Sequence, residues 1–268
     1  MSAPLLQTSV RLDDRRGLRV AGPEAAHFLQ NLVTSEIEGL GEGALSFGAL
    51  LTPQGKILFD FFVLRESADA FLLDAPAAIA DDLHKRLLFY RLRAKLDVEP
   101  AAITVVAGPD GLPDPRTSLL GGRTYEGTNS PGTAQDYAAA RVAAGVPEGG
   151  HDFEYGQTFP HDVLMDRFET VGAGVATKGC YVGQEVVSRM THRGTARRRT
   201  MRVVADHELA SGAEVMGGDR LAGTLGTTSG REGLAILRLD RVPGGEAVVN
   251  GRPVRMEPPL FTSFDLPA

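Results

Sequence analysis

A single cysteine, Cys180, stands among 268 residues. One thiol closes no intramolecular disulfide, builds no four-cysteine zinc site and cannot alone carry an iron-sulfur cluster, which takes several thiolates. The six histidines are scattered with no His-x-x-x-His or Cys-x-x-Cys spacing, so no resident metal site is expected. An excess of basic charge is also lacking: 28 basic residues against 34 acidic give a net −6, which excludes a histone-like nucleic-acid coat. The most apolar run, Ile57 to Leu64, is broken by Asp60 and falls far short of the ~20 residues a spanning helix needs. Residues 1–10 hold no basic region followed by an apolar run, and Asp13 and Asp14 interrupt the nearby arginines. No secretory or transit signal is therefore expected, and the expected address is a reducing cytoplasm.

What the chain does have is turns, with 32 glycines and 16 prolines. Gly22-Pro23-Glu24 opens a helix expected over about 23–34, with Ala26, Leu29, Leu32 and Val33 at helical spacing. Leu45, Phe47, Ala49 and Leu51 alternate with smaller residues before the turn Thr52-Pro53-Gln54-Gly55 and the run Ile57 to Leu64, which reads as a hairpin. A second helix is expected over about 77–93, with Ile79, Leu83, Leu87 and Tyr90 on one face. Strands are expected at about 95–99 and 103–107. Residues 108–133, rich in Gly, Pro, Thr and Ser, read as a loop-rich stretch, part of which forms a surface connection. A short helix from Asp136 to Ala144 is expected to be capped by Asp136 and stopped by Gly145. After Thr200, short apolar runs between glycine-rich turns predict a compact all-β unit.

Three features carry chemistry. Residues 178–202 hold Lys178, Arg189, Arg193, Arg197, Arg198, Arg199 and Arg202 against one acid, Glu185, in an acidic chain. Such a patch suits a polyanion, a phosphate backbone or a chain of carboxylates, and equally a solvated arginine-rich surface. Cys180 lies beside Gly179 and two residues after Lys178, whose ammonium would favour the thiolate. Asp60 sits inside an apolar run, where an acid must face solvent or find a partner.

The string Lys178-Gly179-Cys180-Tyr181-Val182-Gly183-Gln184-Glu185 resembles the signature of the YgfZ family, folate-dependent proteins of iron-sulfur cluster maintenance. The resemblance extends to Phe28-Leu29-Gln30-Asn31-Leu32-Val33-Thr34, to Ala49 through Lys56, to Arg141 through Pro147, and to Phe159-Pro160-His161-Asp162. Members are related in fold to the T-protein of glycine cleavage, an aminomethyltransferase. The resemblance implies an α+β fold: a folate-binding module of two interwoven α+β parts over residues 1–195, then a small β-barrel over 196–268.

The resemblance further implies a tetrahydrofolate cofactor, or a one-carbon derivative of it. It gives Cys180 and Lys178 to the chemistry, and Asp60, Asp152, Arg189, Arg193, Tyr181 and Gln184 to holding the folate. Asp60 matches the second of two successive acids in the T-protein strand, and Phe59 replaces the first. Asp152 matches a carboxylate that would pair with the amino-pyrimidinone edge of the pterin, although a turn acid is the plainer reading of that residue. Gln184 and Glu185 could instead fix the loop that presents Cys180. The implied function is an accessory factor for assembly or repair of clusters in iron-sulfur client enzymes, including those that modify tRNA. A folate-dependent aminomethyltransferase or other one-carbon transferase is the rival reading, and a tRNA-binding module a third. Nothing in the sequence argues for an obligate oligomer.

Overall fold

The computed structural model describes residues 3–127, 130–169, 178–193 and 197–262. Two sheets and a barrel organise the chain. The first sheet runs β3-β4-β5-β2-β6, with β2 Arg15–Ala21, β3 Leu45–Leu51, β4 Ile57–Ser67, β5 Ala70–Pro76 and β6 Asp97–Ala101. The second runs β1-β7-β9-β8, from β1 Val10–Leu12, β7 Val105–Gly108, β8 Leu112–Pro113 and β9 Gly122–Thr124. Because β1 and β7 lie in one sheet while β2 and β6 lie in the other, the chain crosses between sheets twice. This is the interwoven α+β arrangement that the motif implies.

Helix α1, Ala25–Leu32, buries Ala25, Phe28, Leu29 and Leu32, the i, i+3, i+4, i+7 stripe of a helix with one apolar face. Helix α2, Ala77–Arg91, buries Ala80, Leu83 and Leu87. Both helices pack on the face of the first sheet formed by Phe59, Phe61 and Val63 of β4 and Phe71 and Leu73 of β5. Helix α3, Ala134–Ala144, begins two residues before the expected start. Thr133 is its N-cap and Asp136 closes a reciprocal capping box three residues in, so the acid supports the cap without being it. Gly145, at φ 88°, ends the helix as expected. The two strands after α2 sit about two residues later than expected, at β6 and β7.

The largest departure from the sequence reading is residues 108–133. Besides exposed turns, it contributes β8, β9 and much of a buried ionic network. Arg15 Nε donates to Asp74 Oδ1 at 2.6 Å, and Arg123 Nη1 donates to Asp74 Oδ2 at 2.9 Å. Arg116 grips Asp114 through two hydrogen bonds of 3.0 and 2.7 Å, and both Arg116 and Arg123 donate to the Tyr137 hydroxyl. Arg123 also lies over the Phe62 ring, 3.7 Å from its centroid. The network ties the two sheets through side chains that are almost wholly buried. Burial alone would raise the Asp114 carboxyl, but Arg116 and Arg123 overcome it and hold the carboxyl below its usual value. Turn residues in the sequence hid these charges.

Strands β10 Arg198–Val204, β11 Glu214–Gly217, β12 Arg220–Ser229, β13 Glu232–Arg238, β14 Glu246–Val249 and β15 Arg252–Glu257 close into a barrel in the order β10-β13-β12-β11-β14-β15. Its interior is a separate apolar core that includes Met201, Val203, Leu237 and Val254. The barrel docks on the module by backbone contacts: Thr200 donates from N and Oγ1 to the Asp162 carbonyl, and Leu260 N donates to Ala144 O.

Candidate functional site

Helix α4, Gln184–Arg193, follows the cysteine motif, and each residue of the motif has a placement that a physical cause explains. Lys178 is buried, with Nζ donating to the carbonyls of Val33 at 2.9 Å and of Ser35, which follow the end of α1. Burial lowers its pKa to about 8, and Glu36 and Glu38 offset this only in part. Tyr181 is buried in the apolar cluster of Phe47, Phe62 and Val187, and burial raises its phenol. Val182 packs against the helix-side core. Gly183 adopts φ 83°, and a Cβ there would come within 2.6 Å of the Thr52 carbonyl in the β3–β4 turn, so only glycine fits. Gln184 Nε2 donates to the Lys178 carbonyl at 3.2 Å and closes the loop. Between these anchors, Gly179 and Cys180 are exposed, and no side chain crowds the glycine.

The expected ammonium–thiol pair is thus not built: Lys178 turns inward to carbonyls while Cys180 faces outward. The Lys178 ammonium ties the loop to the segment after α1. The sign of its pH effect follows. Below about pH 8 the lysine is protonated in both folded and unfolded chains, and the folded state bears the full cost of burying the charge. Between about 8 and the ordinary 10.5 the unfolded chain holds more protons, so stability rises with pH. Chemical denaturation of wild type and Lys178→Met from pH 7 to 10 is expected to show a difference that moves in favour of wild type. A constant difference would contradict the buried ammonium.

Asp60 is buried on the opposite face of β4 from Phe59. It pairs across the sheet with Ala49, on the side of Phe47 and Phe62, while Phe59 belongs to the core under α1 and α2. Successive strand residues point to opposite faces. An acid at position 59 would therefore enter the helix-side core, and its absence leaves the Asp60 face untouched. Asp60 Oδ1 accepts from the Tyr155 hydroxyl at 2.6 Å, and burial raises its carboxyl against the lowering pull of Tyr155 and Arg15.

Asp152 is committed elsewhere. Its Oδ2 accepts from Arg141 Nη1 at 2.9 Å and from Glu148 N at 2.8 Å, and Oδ1 accepts from Thr227 N of β12 at 2.6 Å. A bidentate pterin edge needs both oxygens, and Oδ2 has none of its lone pairs left. Asp152 is a clasp between α3 and the barrel, reinforced by Gly226, where a Cβ would come 2.9 Å from the Asp152 Cα. Another carboxylate, Glu148, lies four residues earlier in the same turn. Its Oε2 lies 3.0 Å from Arg141 Nη2. Burial opposes its ionisation, but Arg141, Arg15 and Arg116 win and hold the carboxyl below its usual value. A cavity of about 780 Å3 opens beside it, lined also by Tyr137, Arg141, His151 and Thr227. That volume admits a small molecule. Glu148 and Tyr155 were not singled out in the sequence, where one follows a proline in a turn and the other is an isolated aromatic.

The basic stretch does not form one patch. Arg189 pairs with Glu185 at 2.6 Å, Arg199 with Asp166 at 2.8 Å, and Arg202 with both Glu232 and Glu257 at 3.0 Å. Arg197 and Arg198 remain exposed, while the side chain of Arg193 lies outside the described residues. Neither a folate tail nor tRNA phosphate meets a continuous arginine surface in the described part of this segment. No group of three or more metal-ligating side chains assembles among the described residues, and no described helix is long and apolar enough to cross a membrane.

Two family models match: the GCVT N-terminal domain over residues 13–110, and the C-terminal beta-barrel domain of CAF17 over residues 197–263. The chain is 31% identical to the mouse mitochondrial iron-sulfur cluster assembly factor IBA57, covering 88% of this chain and 79% of that protein. Against human IBA57 the identity is 30%, over 87% and 78%. The aminomethyltransferase T of the glycine cleavage system from Bartonella henselae superposes with a TM-score of 0.76 over 96% of this chain and 87% of that one, at 16% identity. That likeness concerns the fold. The named relatives narrow the YgfZ resemblance to a related group. The chain belongs to the family of the iron-sulfur cluster assembly factor IBA57, built on the aminomethyltransferase fold.

Proposed function

We propose that the protein is a tetrahydrofolate-binding accessory factor that helps assemble iron-sulfur clusters in client enzymes, using Cys180 as a single thiolate. The observation that carries this reading is the loop itself: Lys178, Tyr181, Gly183 and Gln184 are each fixed to the body, and together they hold one thiol out to solvent. A packing cysteine would be the buried member of such a loop. One thiolate leaves the remaining ligands of a cluster to come from the client, so Cys180 acts as a transient ligand at the moment of transfer. Ligation requires the thiol to lose its proton. The test is the product of an iron-sulfur tRNA-modifying enzyme in cells lacking this gene, restored with wild type or Cys180→Ala.

Glu148 is the acid that would hold the pterin edge; Asp60 on β4, bonded to Tyr155 from the following turn segment, lies outside the lining of that cavity and would contribute a second carboxyl. When bound, tetrahydrofolate supplies a reduced pterin able to carry a one-carbon unit. Glu148→Gln and Asp60→Asn are expected to weaken tetrahydrofolate binding by tenfold or more in calorimetric titration, on the order of one charge-assisted hydrogen bond. Asp152→Ala is expected to act first on stability, by releasing Arg141 and the barrel. Unchanged affinity in both the Glu148 and Asp60 variants would remove this assignment. Formation of methylenetetrahydrofolate from an aminomethylated lipoyl carrier would favour the transferase reading.

A further inference from the structure

The C-terminal end of α2 carries a feature that neither the thiol loop nor the cofactor cavity uses. Leu88, Phe89 and Leu92 are 39%, 69% and 85% exposed, grouped within five residues. They stand on a rigid frame. Lys95 N donates to Glu24 Oε2, Ala94 N donates to Arg91 O at 2.8 Å, and a Cβ on Gly22 would come within 2.5 Å of the Lys95 carbonyl. Leu92 ends the helix at φ 48°, ψ −106°, a conformation that disfavours any residue with a Cβ. Nothing covers its side chain, so packing gives no reason for leucine at a position where glycine would relieve strain.

The surroundings define what could cover it. From residue 83 to residue 96 the chain holds Lys85, Arg86, Arg91, Arg93 and Lys95 and no acid, within a protein of net charge −6. Apolar and aromatic anchors set among arginines are the composition of a protein-binding hot spot. We infer that this end of α2 docks a different protein, one offering an apolar pocket rimmed by carboxylates. A second copy of this chain fits poorly, because a two-fold contact would set Arg86, Arg93 and Lys95 near their own images. Lys85 is paired with Asp82 at 2.9 Å and Arg91 with Asp97 at 3.7 Å, so the exposed cations that face a partner's carboxylates are Arg86, Arg93 and Lys95. Asp81, Asp82, Asp97 and Glu99 interrupt them, which suits carboxylates placed one by one on a protein rim and not the uniform negative surface of an anionic membrane.

The test places the photo-crosslinker p-benzoylphenylalanine at position 89 of the full chain in its native cells, with position 221 on the barrel as the control. The expected result is a discrete adduct to one other protein, joined at a segment flanked by Asp or Glu. Its yield should fall at least fivefold in an Arg86→Glu/Arg93→Glu background whose melting temperature matches wild type. Phe89→Ser/Leu92→Gly should melt at the same temperature as wild type or higher, while losing competition for that partner. An adduct to a second copy or to phospholipid, a yield indifferent to the charge reversal, or no adduct above the position 221 control would each overturn the inference.

Discussion

Cys180→Ala is expected to melt within a degree or two of wild type, to bind tetrahydrofolate with unchanged affinity, and to leave iron-sulfur enzyme activity at the level of cells without the gene. The stability half follows from exposure: the side chain is outside every core, and surface substitutions away from special features usually stay within about 0.5 kcal/mol. The functional half follows from chemistry, because alanine and a thiolate differ entirely as ligands of iron. Cys180→Ser separates the alternatives further. It keeps size and hydrogen bonding but loses the soft sulfur, so it should fail as completely as alanine. If serine restored function, the loop would be acting through shape, and the thiolate reading would be wrong.

Arg123→Ala is expected to cost about 3–5 kcal/mol, the range for removing one partner of a buried charged pair. Arg123 is almost wholly buried, and its loss strips Asp74 of one of two guanidinium partners and Tyr137 of one donor. It also takes from Phe62 the nearest of its cations, at 3.7 Å, leaving Arg116 at 4.8 Å. Urea denaturation would measure the loss, and a variant within 1 kcal/mol of wild type would show that the network relaxes or admits water. Arg123→Met is the informative companion. It fills most of the volume but leaves Asp74 with a single guanidinium, so it should recover little if charge pairing governs and most of the loss if packing does.

Much of the fold could be read from residues in order. The periodicity of Ala25 to Leu32 and of Ala77 to Arg91, the hairpin around Thr52-Pro53-Gln54-Gly55, and the change of texture at the barrel all follow from local pattern. What local pattern missed was long-range pairing. Arg116 and Arg123 lie among turn formers, and their burial depends on Asp74 and Tyr137 from other elements. The site divides in the same way. The cysteine loop was visible because its anchors are contiguous, and Gly183 announces a close approach. The direction of Lys178 was not, since the carbonyls of Val33 and Ser35 lie far away in sequence. Asp152 and Glu148 are four residues apart in one turn, and only the positions of Arg141 and Thr227 decide which is spent on structure.

The double crossing between the sheets has a consequence for how the chain acquires its shape. Val10 pairs with Ala107, and Gly17 pairs with Ala101, so the first twenty residues close against strands made almost a hundred residues later. Neither sheet can finish before most of the module has left the ribosome, and loops of that length make for slow, cooperative formation. A fragment ending near residue 95 would lack the β6 edge and all partners of β1, and would present unpaired strands to other chains. The barrel, whose strand partners all fall between residues 198 and 257, carries no such debt to the N-terminus.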